Sequence, residues 1–343
     1  MSRKIVVAQP VHRSVTEVLQ PFADLWINPG PGPVPTDELA RHCSDADAMM
    51  AFMTERIDAA FIAHCPQLKI IAGALKGYNN MDVEACSQHG VCVTVVPDLL
   101  TEPTAELTVG LMISLARNVI EGDRYVRSGA FEGWSPRFYG GSLCGASVLV
   151  IGAGAVGQTV MRMLGGFGCE LSYVDKRALE DDEEKRYGCR RVMLREGLHR
   201  ADFVVLAIHL MPETHHFVSD DFLAQMKDGG YLVNPSRGSV VDEAAVERAL
   251  ASGRLAGYAA DTFEMEDWAV NTRRLSIGDG LLTCGQTILT PHIGSAVRAV
   301  REQIEMSAAN SIIDVFEGKP PQGLVNSEAL TRSSQRSSDH AQS

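Results

Sequence analysis

Short apolar runs alternate with amphipathic stretches along the first part of the chain. Residues 4–8, 24–27, 48–52, 69–74 and 91–95 read as strands. Residues 11–22, 36–43, 58–64 and 81–88 read as the helices between them. Alternation on this scale predicts βαβ units around a parallel sheet. Pro97 closes the segment. Residues 103–127 then carry one long helical pattern, with Leu107, Leu111 and Leu115 at fourfold spacing, and are expected to form a spacer helix between domains.

The rhythm resumes with an apolar strand at 148–151, a turn Gly152-Ala153-Gly154-Ala155-Val156-Gly157, a helix through Leu164, and a second strand at 171–174 ending on Asp175. Strand, glycine turn, helix, strand and acid together form a dinucleotide-binding fingerprint in its required context. Gly152 permits the tight turn, Gly154 lets backbone approach a pyrophosphate, and Gly157 lets helix and strand pack closely. Asp175 lies 18 residues after Gly157 (175 − 157), close to where a carboxylate meets ribose hydroxyls. Residues 180–186 read as a solvated loop or helix face. Strands are expected at 203–208, 231–234, 257–261 and 287–289, a helix at 242–251 ended by Gly253, and a last helix at 296–316 stopped by Gly318 and Pro320.

The pattern predicts an α/β protein of two doubly wound parallel-sheet domains. A Rossmann-type nucleotide domain, 100–295, is inserted into a flavodoxin-like substrate domain, 1–99 with 296–326. The last helix returns to the first domain, and the polar stretch 327–343 is expected to be a disordered tail.

Composition narrows the classes. Of 343 residues, 31 are Lys or Arg and 43 are Asp or Glu, a formal net charge of −12. That balance argues against non-specific association with nucleic acid or anionic membrane, so an anionic substrate needs a local cationic pocket. The 8 cysteines are scattered, without metal-ligand spacing, and no metal is expected. The N-terminal residues carry no signal-peptide pattern, so reduced thiols and a cytoplasmic location are expected.

Three polar residues stand just after strands of the nucleotide domain, where open α/β sheets bind ligands. They are Arg237 in NPSRGSVVDE, Glu266 in DTFEMEDW and His292 in TPHIGSA. An arginine there can anchor a small anion with paired donors. A histidine can act as general base, with a carboxylate fixing its tautomer. Singly, each could be an ordinary surface residue; their shared placement makes them a candidate set.

With VLVIGAGAVG, Asp175, NPSRGSVVDEAAVERAL and TPHIGSA in view, residues 3–325 resemble the D-isomer-specific 2-hydroxyacid dehydrogenase family. The resemblance implies that Arg237, Glu266 and His292 are the catalytic residues, and that the enzyme is a homodimer built around the interdomain helices. It also implies a cofactor contact set of Lys76, Thr104, Gly152, Gly154, Ala155, Val156, Gly157, Asp175, Lys176, Ala207, His209, Pro235, Ser236, Arg237, Asp261, His292, Gly294 and Ser295. The stretches ALKGYNNMDVEAC, VPDLLTEPTAELTVGL, VRSGAFEGWSPRFYGG, AADTFEMEDWA and TPHIGSAVRAVR are similar to the phosphite-oxidising members, the phosphonate dehydrogenases. Hydroxyacid members usually carry a small residue before the glycine aligned with Gly77, where this chain has Lys76. They commonly carry Pro after the glutamate, where it has Asp267-Trp268. The narrower resemblance implies a substrate set of Lys76, Gly77, Met53, Trp134, Tyr139 and Ser295.

The expected reaction is NAD-dependent oxidation of phosphite to phosphate. Arg237 and Lys76 hold the anion, and His292, oriented by Glu266, takes a proton from the attacking water. A second cation suits phosphite, which is largely dianionic near neutral pH. Lys176 and Arg177 beside Asp175 make NAD the expected preference with some use of NADP. The alternatives are a 2-hydroxyacid dehydrogenase of the glycerate or glyoxylate type and an NAD-sensing binding protein.

Overall fold

The computed structural model describes residues 2–30 and 32–329. The described residues divide into two compact units, one drawn from 2–100 and 296–329, the other from 101–295.

Unit 1 holds five parallel strands: β1 (Lys4–Val7), β2 (Asp24–Ile27), β3 (Ala48–Ala51), β4 (Ile70–Gly73) and β5 (Cys92–Thr94). Their order, β2-β1-β3-β4-β5, is that of flavodoxin-like sheets. Every residue of β3 and β4 is buried, as strands covered by helices on both faces must be. The last helix, Arg298–Phe316, returns to this unit and places Ile304, Ala308, Ala309 and Ile312 in the core with Ile5, Met49 and Ile71. Beyond it the chain covers the edge strand β5. Val95 N–H donates to Gly323 O (2.9 Å), Val325 N–H to Val93 O (2.9 Å), and Val93 N–H to Asn326 Oδ1 (2.8 Å). The expected tail therefore begins too early. Ala329 is fully buried in the unit 1 core, and residues 330–343 lie outside the described residues.

Unit 2 holds seven parallel strands: β6 (Ser147–Ile151), β7 (Glu170–Val174), β8 (Cys189–Arg191), β9 (Phe203–Leu206), β10 (Gly230–Asn234), β11 (Leu255–Ala260) and β12 (Thr287–Leu289). They lie in the order β12-β11-β10-β9-β6-β7-β8, the Rossmann order extended by one strand. β8 has no apolar run to announce it. It is an edge strand whose two arginines face solvent.

The long helix expected over 103–127 is two helices, Thr101–Ala116 and Val119–Arg127. The break is at Asn118, whose backbone is left-handed (φ 53°), a conformation that asparagine tolerates better than most residues. The freed Ala116 carbonyl accepts from Gly141 N–H at 2.8 Å. The first helix is not a spacer. Ala105, Val109, Leu111, Met112 and Leu115 are buried in the core of unit 2 with Val148, Val150 and Val233.

Candidate active site

The glycine turn of unit 2 is built for close approach. Gly152 has φ 99°, and a methyl group on it would stand 2.2 Å from Ala207 O. A methyl on Gly157 would stand 1.9 Å from Gly152 O, so the helix Ala155–Leu164 could not pack at its present distance. A methyl on Gly154 would meet nothing within 4 Å. The space before the helix N-terminus is therefore open, and its backbone N–H groups, Ala155 and Val156 among them, face that space with the positive end of the helix dipole. The Asp175 carboxylate is pinned by Ala153 N–H (2.7 Å) and Arg177 N–H (3.0 Å). These features fit NAD, with the pyrophosphate at the turn and a ribose at Asp175. Arg191 Nη2 donates to the carbonyls of Asp175 (2.7 Å) and Lys176 (3.2 Å), bringing a cation to this corner that the sequence pattern did not announce.

Arg237 leaves β10 in a turn organised by Asn234. The Asn234 amide donates to Arg237 O (2.9 Å), while its Oδ1 accepts from Ser236 N–H (3.0 Å) and Oγ–H (2.7 Å). An asparagine before Pro235 is a turn signal, so this organiser was readable in the sequence. Burial pulls the Arg237 guanidinium pKa below its ordinary value, opposed by the nearby charges of Asp267 and Glu266.

Glu266 and His292 are joined, with Nδ1 to Oε2 at 2.6 Å. The other Glu266 oxygen accepts from Phe263 N–H at 2.7 Å, which fixes the carboxylate. With Nδ1 engaged, Nε2 is the nitrogen left to take a proton. His292 sits at φ 54°, uncommon for a residue other than glycine, and Asp261 holds its loop there. The buried Asp261 carboxylate accepts from Thr290 Oγ–H (2.6 Å), Ile293 N–H (2.8 Å) and Gly294 N–H (2.8 Å). Burial raises the Asp261 pKa, and these three bonds oppose the shift. A methyl on Gly294 would come within 3.2 Å of Thr104 Oγ1, so Thr104 abuts the same loop, and Ser295 is buried at its end. His209 follows β9 and is exposed.

The remaining expected residues fall differently. Trp134 and Tyr139 lie in unit 2 on the 128–142 segment and are 86% and 80% exposed, so neither is a core residue. Met53, Lys76 and Gly77 belong to unit 1. Met53 follows β3 and packs against the unit 1 core, and Lys76, three residues after β4, is paired with Asp98. Sequence reading passed over Arg301, a unit 1 guanidinium largely withdrawn from solvent. It lies 5.8 Å from the Phe52 ring centre and 3.9 Å from Glu305, and its Nη1 has no hydrogen-bond partner among the described residues.

Fold and site define an NAD-dependent oxidoreductase of the doubly wound α/β class. Residues 109–294 match the D-isomer specific 2-hydroxyacid dehydrogenase, NAD binding domain. The chain is 33% identical over 335 residues to the glyoxylate reductase of Thermococcus kodakarensis, covering 96% of this chain and 98% of that one. The glyoxylate reductase of Pyrococcus furiosus matches at 33% with 96% and 97% covered. A solved structure from Thermus thermophilus superposes with a TM-score of 0.85 at 31% identity, over 94% of this chain and 99% of that one. The chain belongs to the D-isomer-specific 2-hydroxyacid dehydrogenase family. Among the described residues, no helix is long and apolar enough to cross a membrane.

Proposed function

We propose that this enzyme oxidises phosphite to phosphate with NAD, using Arg237 to hold the anion and His292, oriented by Glu266, as the base. The observation that carries the dehydrogenase chemistry is the 2.6 Å Glu266–His292 bond, in the unit that also carries the glycine turn and Arg237. The choice of phosphite rests on the sequence: Lys76 before Gly77, and Asp267-Trp268 in place of the proline usual in hydroxyacid members. Both follow the phosphite-oxidising pattern.

NAD, when bound, supplies the hydride acceptor. Arg237 offers paired donors to two oxygens of the substrate and offsets its charge. His292 Nε2 takes the proton of a water whose oxygen bonds to phosphorus as the hydride departs. Glu266 keeps the ring in the accepting tautomer and stabilises the imidazolium that forms. Phosphite and water thereby become phosphate, one proton leaves through His292, and two electrons leave as hydride.

A second reading is interconversion of a small 2-hydroxyacid and its 2-oxoacid, such as glycolate and glyoxylate. The relatives favour it, since those at 33% identity along nearly the whole chain bear the name glyoxylate reductase. His292 would then exchange the hydroxyl proton. NADH formation with phosphite, beside a panel of 2-hydroxyacids and the reverse assay with glyoxylate, separates the two. Turnover of phosphite at least tenfold above any acid is expected, and the opposite ranking overturns the assignment. His292→Ala is expected to lose about 10²–10⁴-fold in kcat. Arg237→Ala should weaken phosphite binding and turnover while leaving NAD binding largely intact, and Lys76→Ala should raise the KM for phosphite. An unchanged KM removes Lys76 from the substrate set.

The cofactor preference follows from Asp175, whose carboxylate accepts ribose hydroxyls and repels a 2′-phosphate. Lys176, Arg177 and Arg191 attract that phosphate. NAD is therefore the preferred cofactor, with measurable turnover of NADP, and kcat/KM for each cofactor is the check.

A further inference from the structure

Asp267, the residue after Glu266, is 98% withdrawn from solvent (2% exposed), although a carboxylate is rarely buried without a task. Its Oδ2 accepts from Ser239 N–H at 2.7 Å. Ser239 lies two residues beyond Arg237, in the 3-10 turn Gly238–Val240, while Asp267 directly follows the 3-10 turn Glu264–Glu266. The bond thus joins the turn that presents Arg237 to the turn that presents Glu266.

The two turns press on each other with no slack. A methyl on Gly238 would stand 1.8 Å from the Phe263 carbonyl carbon. The Glu264 turn is also tied to the start of the helix Glu243–Ala251 by a reciprocal pair, Glu243 N–H to Glu264 Oε1 (3.1 Å) and Glu264 N–H to Glu243 Oε1 (2.8 Å). The Glu243–Glu264 tie lies two residues before Glu266, and the Ser239–Asp267 tie lies one residue after it. Glu266 therefore sits between two fastenings, and Asp267 is the one nearer the Arg237 turn. Asp267 is also the leading charge acting on the Arg237 guanidinium, ahead of Glu266.

We propose that Asp267 is a positioning residue: through the Ser239 backbone it sets the placement of Arg237 relative to Glu266, and through Glu266 that of His292. A proline at this position would have no side-chain acceptor and could not make this fastening. The inference rests on the dehydrogenase reading of the three site residues, for either substrate.

The test compares Asp267→Ala and Asp267→Asn with Arg237→Ala and His292→Ala in the full-length enzyme. Asparagine retains an oxygen that can accept from Ser239 N–H; alanine retains none. Asp267→Ala is expected to lower kcat by about 10- to 100-fold, the scale of a misplacement near 1 Å, with the KM for NAD and NADH binding by fluorescence unchanged. Asp267→Asn is expected to recover the greater part of that loss. Wild-type kcat in Asp267→Ala overturns the role. So does an Asp267→Asn variant no better than alanine, or a parallel loss of NADH binding that marks general damage to the unit. Retention of turnover by Arg237→Ala and His292→Ala would overturn the functional reading itself, and this inference with it. Loss in those two beside an unaffected Asp267→Ala would overturn this inference alone.

Discussion

Glu243 shows how a single buried acid sets a pH response. It is 1% exposed, and one of its carboxylate oxygens, Oε2, has no hydrogen-bond partner among the described residues. Loss of hydration raises its pKa to about 7, helped by the charge of Glu264 and opposed by the Glu264 N–H and Arg274. The folded protein therefore binds this proton more tightly than the unfolded chain, whose carboxyl ionises near 4.5. The resulting stabilisation is complete below about pH 4.5, declines as pH rises towards 7, and is absent above. Glu243→Gln keeps the acceptor for Glu264 N–H and removes the ionisation. At pH 8 it is expected to be more stable than the parent by roughly 2–4 kcal/mol, with the two converging near pH 4.5 in urea titrations. Parallel stabilities across that range would refute the assignment. At this scale the sequence disclosed Arg237, Glu266 and His292 because each follows a readable strand. It did not disclose the fastening of Asp267 to Ser239, or the grip of Asp261 on the His292 loop. Those partners are 28 to 33 residues apart and meet only once the sheet is assembled.

Among the elements, the strands were the most legible, and even the partly buried edge strands β2 and β12 carry the expected bounds. The helix break at Asn118 was not, because the apolar pattern continues across it. Its signals are one asparagine and a partner more than 20 positions on. A methyl on Gly140 would stand 1.9 Å from the Ala116 carbonyl oxygen, inside the contact that ends the first helix. Gly140→Ala is therefore expected to cost about 1–3 kcal/mol, while Asn118→Gly, which relieves the left-handed backbone, should stay within about 1 kcal/mol of the parent. Chemical denaturation of both variants checks this. Equal effects would mean that the break is set elsewhere.

Over the whole molecule, the alternation of runs sufficed to predict two sheets and the return of the last helix. The covering of β5 by residues 323–326 lacked any local signal, since a single antiparallel bridge, Thr94 to Leu324, leaves no pattern in sequence. An uncovered edge offers unpaired donors and acceptors to any other strand. Truncation after Gln322 is expected to produce concentration-dependent aggregation visible by light scattering. A soluble, monodisperse truncated chain would show that the cover is dispensable.

The return of residues 296–329 to unit 1 also fixes a timetable. Residues 1–100 leave the ribosome before the inserted unit, yet the helix and edge cover that complete their core come only after the 195 residues of 101–295. At about 5–20 residues per second this interval is roughly 10–40 s. The inserted unit can close its own sheet during that time, while the apolar face awaiting Ile304, Ala308 and Ile312 stays open. Of the two units, the one begun first is thus the last to mature, and it is where chaperone engagement during synthesis would concentrate.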